Sequence, residues 1–159
     1  MRLLRSWGEE KRYEHRFKGF NYRMDGIQGA ILRVKLRHLA AWTEQRRIVA
    51  SWYAEALDPE TVRLPKERRG CRHVYHVFVV RSDARDELRE ALTKEDIQTG
   101  IHYPIPVHLQ PAHEDLGYRA GDFPVAETVA REVLSLPIFP EMTREQVERV
   151  AAVVSKARV

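Results

Sequence analysis

The sequence predicts an α/β (α+β) fold: a long helix, then a small sheet covered by helices on one face. Three observations carry that expectation. Apolar residues recur at helical spacing from Asp25 to Leu57. The run His73–Val80, HVYHVFVV, is rich in β-branched and aromatic residues and reads as a strand. Beyond it, helical and strand patterns alternate through irregular connections to the C-terminus.

Residues 1–20 mix Arg, Lys, Glu and Tyr with Gly8 and Gly19 and show no sustained period, which predicts an extended or irregular arm. Asp25 is a suitable N-cap with Gln28 three residues on, the pattern of a capping box. In the helix that follows, Ile27, Ala30, Ile31 and Val34 form one stripe and Leu32, Leu36 and Leu39 a second. Val49, Trp52, Tyr53 and Ala56 continue the pattern. Two adjacent stripes make a face wider than one core contact requires, so one side of this helix is expected to meet a partner chain. Asp58-Pro59 ends it, because a residue before proline avoids helical geometry.

Val62–Pro65 reads as a short strand, and Asp83–Lys94 as a helix with Leu88, Ala91 and Leu92 inward. Ile97–Tyr103 is a second strand candidate weakened by Gly100. A loop broken by Pro104, Pro106 and Pro111 follows. Phe123–Val133 reads as a helix with Pro124 in its first turn, and Leu134–Pro137 as a strand stopped by proline. Thr143 followed by Gln146 caps a last helix to Ala157, whose apolar face is Val147, Val150, Ala151 and Val154.

A chain of 159 residues suits one domain, or one domain with a peripheral arm. The formal net charge is +4, but 27 Lys and Arg are interleaved with 23 Asp and Glu, which argues against a nucleic-acid surface. Lys66, Arg68, Arg69 and Arg72 surround Glu67 and read as a solvated loop, with an anion site as the alternative. The single cysteine, Cys71, forms no internal disulfide, which fits a reducing, cytoplasmic setting. No apolar run approaches the roughly 20 residues of a membrane helix. The basic start of the chain leads into no signal-peptide core.

Simple chemical motifs are absent. His73 and His76, three apart on a strand, would face opposite sides, and no Asp or Cys joins the other histidines at ligand spacing, so no metal is expected. There is no Gly-x-Ser-x-Gly, no Walker loop and no dinucleotide glycine fingerprint. Two segments stand out. GFNYRMDGIQGAIL, residues 19–32, places Asn21, Tyr22 and Arg23 ahead of a helix N-terminus, where free N–H groups and the helix dipole favour an anion. A capping turn with a surface arginine is the alternative. In IHYPIPVHLQPA, residues 101–112, prolines stiffen a backbone from which His102, Tyr103 and His108 project, as in a binding loop or a stiff structural turn.

Together with WTEQRRIVASWYAEAL, HVYHVFVVR, TGIHYPIPVHLQPA, GDFPVAE and LSLPIFPEMT, in that order, these segments resemble the C-terminal region of the DegT/DnrJ/StrS aminotransferases. The resemblance spans essentially the whole chain. It implies the C-terminal small domain of fold-type I pyridoxal-phosphate enzymes, with a small, mainly antiparallel sheet covered by helices. On that frame residues 1–24 are an arm and interface segment of the large domain, 25–57 a linking helix, and 58–159 the small domain. The family implies homodimers with shared active sites, pyridoxal 5'-phosphate as cofactor, glutamate as amino donor and a keto-sugar nucleotide as acceptor. Asn21 matches the asparagine that reaches across the dimer to the cofactor phosphate. Arg23 matches an arginine near the substrate entrance, and His102, Tyr103 and His108 match a loop facing the sugar-nucleotide channel.

One departure governs the functional expectation. The family's cofactor-bearing lysine, and the acid that pairs with the pyridine nitrogen, lie upstream of the part resembled here. Lys11, Lys18 and Lys35 sit in no matching motif. The chain alone is therefore expected to hold no catalytic residue and to be inactive. It would be a fragment, a half that pairs with a missing N-terminal portion, or a non-catalytic binding module.

Overall fold

In a computed structural model, which describes residues 1–157, the chain divides into two compact units. The first is Met1–Ala40 and the second begins at Ala41. Arg158 and Val159, the end of the expected small domain, lie outside the described residues.

The expected irregular arm contains a small antiparallel hairpin, β1 (Glu9–Lys11) with β2 (Glu14–His15). Two glycines make it possible. A Cβ on Gly8, whose φ is +72°, would lie 1.9 Å from the Phe17 carbonyl oxygen, and one on Gly19 would lie 2.4 Å from the Gly8 nitrogen. Only glycine lets the two chain segments cross this closely. Ser6 and Asn21 pair as an antiparallel bridge across the base of the arm.

The single long helix expected from Asp25 to Leu57 is two helices: α1 (Gly26–Leu36) and α2 (Leu39–Ala56). Asp25 does cap α1, and its N–H donates to Gln28 Oε1 at 3.2 Å. At the break, Arg37 and His38 donate to the carbonyls of Val34 and Lys35, three residues back instead of four. Such tightening ends an α-helix without any Gly or Pro to announce it. α1 buries none of its residues: Ile27 is 77% exposed and Leu36 67%.

In the second unit, β3 (Phe78–Arg81) pairs antiparallel with β4 (Val133–Leu136). Arg63 bridges to Arg81 on one side and Gly100 to Ser135 on the other, both antiparallel. The expected strands at Val62–Pro65 and Ile97–Tyr103 thus shrink to single bridges. β4 lies between two neighbours, and all four of its residues are buried. The expected strand His73–Val80 starts only at Phe78. The carbonyls of Tyr75 and His76 accept from Arg46 Nη1, at 3.3 and 3.2 Å, instead of joining a ladder.

Helices α3 (Arg85–Lys94), α4 (Pro124–Glu132) and α5 (Arg144–Lys156) cover the sheet, with α3 against α5 and β4, and α4 against β3. The capping box of α5 forms as expected: Thr143 N–H donates to Gln146 Oε1 at 3.0 Å, and Gln146 N–H to Thr143 Oγ1 at 3.3 Å. Val147, Val150, Ala151 and Val154 are its buried face. The core joins them to Tyr53 of α2, Phe78, Val80, Leu88, Leu92 and Leu134. Tyr53 is fully buried. Its ring stacks on Phe78 with centroids 4.7 Å apart, and its hydroxyl donates to the Pro137 carbonyl at 2.9 Å. Burial pushes the phenol well above the ordinary tyrosine range, so it stays a neutral donor.

Charged residues fasten the sheet edge. Glu132 accepts from Arg63 at 2.7 Å and from Arg81 at 2.6 Å, with only 13% of its own side chain exposed. The expected solvated basic loop is tied down through its one acid. Glu67 takes both Nη atoms of Arg47, at 3.1 and 3.2 Å, and the His73 N–H at 2.8 Å. The Arg47 guanidinium, and next the His73 N–H, hold that carboxyl below its usual range. Cys71 is exposed.

Candidate functional site

The first unit holds Asn21 and Arg23 together. Arg23 Nε donates to Asn21 Oδ1 at 3.2 Å, and the guanidinium carbon lies 4.4 Å from the centre of the Trp7 ring. Both residues are exposed, a few residues ahead of the α1 N-terminus. With its oxygen engaged, exposed Asn21 keeps its amide NH2 as a donor. The outer guanidinium nitrogens of Arg23 are the neighbouring donors, so the pair is suited to a phosphate or carboxylate. Nearby, Trp7, Arg12, Tyr13, Phe17, Lys18 and Arg23 line an open cleft of about 970 Å³. Sequence reasoning missed Trp7, although it stands directly before the Gly8 that allows the hairpin.

The second unit holds the other three expected site residues, and the structure separates their situations. Tyr103 is 72% exposed at the outer edge of the loop. His102 packs edge-on to Tyr103, and its Nδ1 is 2.9 Å from the Oγ of buried Ser135 in β4. Gly100 clears the space for that imidazole: a Cβ there would lie 2.7 Å from His102 Cε1. His108 does not project from the loop. Its side chain is only 8% exposed, with Nε2 3.1 Å from Glu127 Oε1 and its ring 4.7 Å from that of Phe123.

Glu127, the last residue of GDFPVAE and not among the expected site residues, organises this region. Its carboxylate accepts from the Gly121 N–H at 2.8 and 3.0 Å, from the Phe123 N–H at 3.3 Å, and from His108. The N–H of Gly121, then that of Phe123 and the His108 ring, hold its carboxyl below the ordinary range. A carboxylate depressed in the folded state stabilises the fold above its unfolded pKa, near 4.3 for Glu, and that contribution is lost as pH falls through the lower folded value. Protection of the Gly121 amide from hydrogen exchange should therefore fall steeply on acidification below about pH 4. In Glu127→Gln the protection should be weaker at neutral pH and flat across the same range. Unchanged, pH-dependent protection in Glu127→Gln would refute the assignment.

Among the described residues, no three His, Cys, Asp or Glu side chains gather as a metal ion requires. Among the same residues, no helix is long and apolar enough to cross a membrane.

The family model described as the DegT/DnrJ/EryC1/StrS aminotransferase family matches residues 1–155. The chain is 47% identical over 153 residues to the erythromycin biosynthesis sensory transduction protein EryC1 of Saccharopolyspora erythraea, covering 96% of this chain and 42% of that protein. It is 42% identical over 156 residues to the dTDP-3-amino-3,6-dideoxy-alpha-D-galactopyranose transaminase of Aneurinibacillus thermoaerophilus, covering 98% of this chain and 42% of the relative. The crystal structure of DesV from S. venezuelae superposes with a TM-score of 0.93 at 41% identity, over 99% of this chain and 43% of that one. The chain thus spans about 42% of the length of the curated relatives it matches. Enzymes of this family use pyridoxal phosphate. By the match along nearly its whole length, the chain belongs to the DegT/DnrJ/EryC1/StrS family of aminotransferases.

Proposed function

We propose that this chain supplies the phosphate- and substrate-facing part of an aminotransferase acting on keto-sugar nucleotides, and that the reactive lysine comes from outside it. The observation that carries the reading is the Asn21–Arg23 pair: two adjacent, exposed donor side chains held by a 3.2 Å hydrogen bond. Their chemistry fits the phosphate of pyridoxal phosphate. When bound, that cofactor supplies the electron sink for moving an amino group. This chain's part is to bind and orient. The Asn21 amide donates to a phosphate oxygen, and Arg23 adds positive charge beside it. Tyr103 offers an exposed phenol at the substrate side, on a loop whose inner end is held by His102 on Ser135 and whose outer end is held by His108 on Glu127.

Glutamate is the proposed amino donor. The exposed apolar residues of α1, Ile27, Ile31, Val34 and Leu36 among them, are the surface a second polypeptide would cover in a homodimer or a restored enzyme.

The test is reconstitution. The chain is mixed with a separately expressed lysine-bearing portion of a related enzyme, plus pyridoxal phosphate, glutamate and a dTDP-keto sugar. Neither polypeptide alone should turn over, and the mixture should. Asn21→Ala should lower kcat/KM of the mixture roughly ten- to a hundredfold, the loss of one charge-assisted hydrogen bond. Turnover by the chain unaided, or none by the mixture, overturns the proposal.

A further inference from the structure

Trp7 stands where a bulky residue is costly. Its φ is +56°, in the left-handed region that glycine occupies readily and large side chains avoid, and Gly8 follows it at +72°. The backbone there is pinned by bonds that do not use the indole. Trp7 N–H donates to the Phe20 carbonyl at 2.9 Å, Gly8 N–H to the Leu3 carbonyl at 2.8 Å, and His15 Nδ1 to the Trp7 carbonyl at 3.1 Å. Glycine at position 7 would satisfy all of these and relieve the strain. A strained residue whose side chain the local fold does not need points to a role for that side chain.

The indole has one specific polar partner among the described residues. The Arg23 guanidinium lies over its face, 4.4 Å from the ring centre. Arg23 in turn donates through Nε to Asn21 Oδ1. The chain of contacts runs from the indole to the guanidinium to the amide. Arginine is long and rotamer-rich, and on an exposed surface it orders only when something fixes its plane. Stacking on the ring fixes that plane and leaves the edge nitrogens free to donate, one inward to Asn21 and the others outward.

We propose that Trp7 is a positioning residue: its ring sets the Arg23 guanidinium, and through it the Asn21 amide, in the orientation presented to an anionic ligand. This inference rests on the reading of Asn21 and Arg23 given above. The ligand class is a phosphate ester, to which two neighbouring donors of fixed direction are matched.

Two variants separate positioning from folding. Trp7→Gly removes the ring while easing the backbone, and Trp7→Phe keeps an aromatic face. In NMR spectra of the whole chain, the Arg23 δ-methylene and Nε–H resonances should be displaced upfield by the indole ring current. The displacement should persist, reduced, in Trp7→Phe and vanish in Trp7→Gly. The Asn21 side-chain amide should move only in Trp7→Gly, while the backbone amides of β1 and β2 stay in place. In the reconstituted enzyme, Trp7→Gly should raise the pyridoxal phosphate concentration needed for half-maximal activity roughly threefold to tenfold, the scale of a partly exposed cation–π contact, with kcat at saturating cofactor within about twofold. Trp7→Phe should restore most of the loss.

Absence of ring-current displacement in the wild type overturns the proposal. So do Arg23 and Asn21 resonances unmoved by Trp7→Gly, and so does an unchanged requirement for pyridoxal phosphate. A different result marks failure of the underlying reading: Asn21→Ala and Arg23→Ala leaving the reconstituted enzyme unaffected while the Arg23 displacement persists.

Discussion

Phe78→Ala should destabilise the second unit by about 3–5 kcal/mol, the usual cost of deleting a buried aromatic ring. Phe78 is 2% exposed on β3, stacked on Tyr53 and 6.1 Å from the Tyr75 ring. Its removal leaves a hole between sheet and α2 that neither neighbour can fill without leaving its own place. Tyr53 is tied to Pro137 through its hydroxyl, and Tyr75 belongs to a segment held by Arg46. Val79, next along β3, points to the half-exposed face and provides the control. Val79→Ala should cost about 1 kcal/mol or less. Urea unfolding followed by circular dichroism measures both midpoints. Equal midpoint shifts for the two variants would show that the assigned faces of β3 are wrong.

Arg46→Ala comes next, at about 2–3 kcal/mol, in the range of hydrogen bonds to a charged donor. Arg46 Nη1 lies within bonding distance of three carbonyls, those of Tyr75, His76 and Ile138, the last at 2.9 Å. One nitrogen carries two protons, so the three acceptors share them. The contacts bind the segment before β3 to the segment after β4, and both to α2. Removing the guanidinium leaves partly buried carbonyls without a donor. Arg46→Met, which keeps much of the stem, should recover less than half of the loss, because the lost interaction is polar. The same urea experiment measures it. Full recovery in Arg46→Met would assign the stabilisation to packing of the stem.

The same arginine explains one misreading of the sequence. HVYHVFVV has strand composition throughout, yet only its last three residues are in β3, which runs on to Arg81. Propensity near His73–Val77 was outweighed by a donor 29 residues earlier in the chain, which claims the carbonyls a ladder would need. The helix break at Arg37 and His38 was equally hidden, since neither residue type opposes a helix. The hairpin in the arm left a faint signal, Gly8 and Gly19. Their meaning depends on chain crossings so close that a Cβ would lie 1.9 or 2.4 Å from the neighbouring backbone, which no local pattern reports.

Local pattern sufficed wherever local physics decides. Both capping boxes, the helix faces of α3 and α5 and the proline stop after β4 depend on residues within a turn or two of each other, and all were readable in advance. The ordered motifs that mark the family were equally legible, because six short segments in sequence are far more specific than any one. Tertiary structure alone decided which polar side chains hold the framework and which face outward. His108 and Tyr103 share one loop and one set of prolines, yet one is buried on Glu127 and the other is exposed. The difference comes from a carboxylate 19 residues away meeting one histidine. Side-chain pairing across such distances is fixed by the folded backbone, whereas periodicity and capping record only near neighbours.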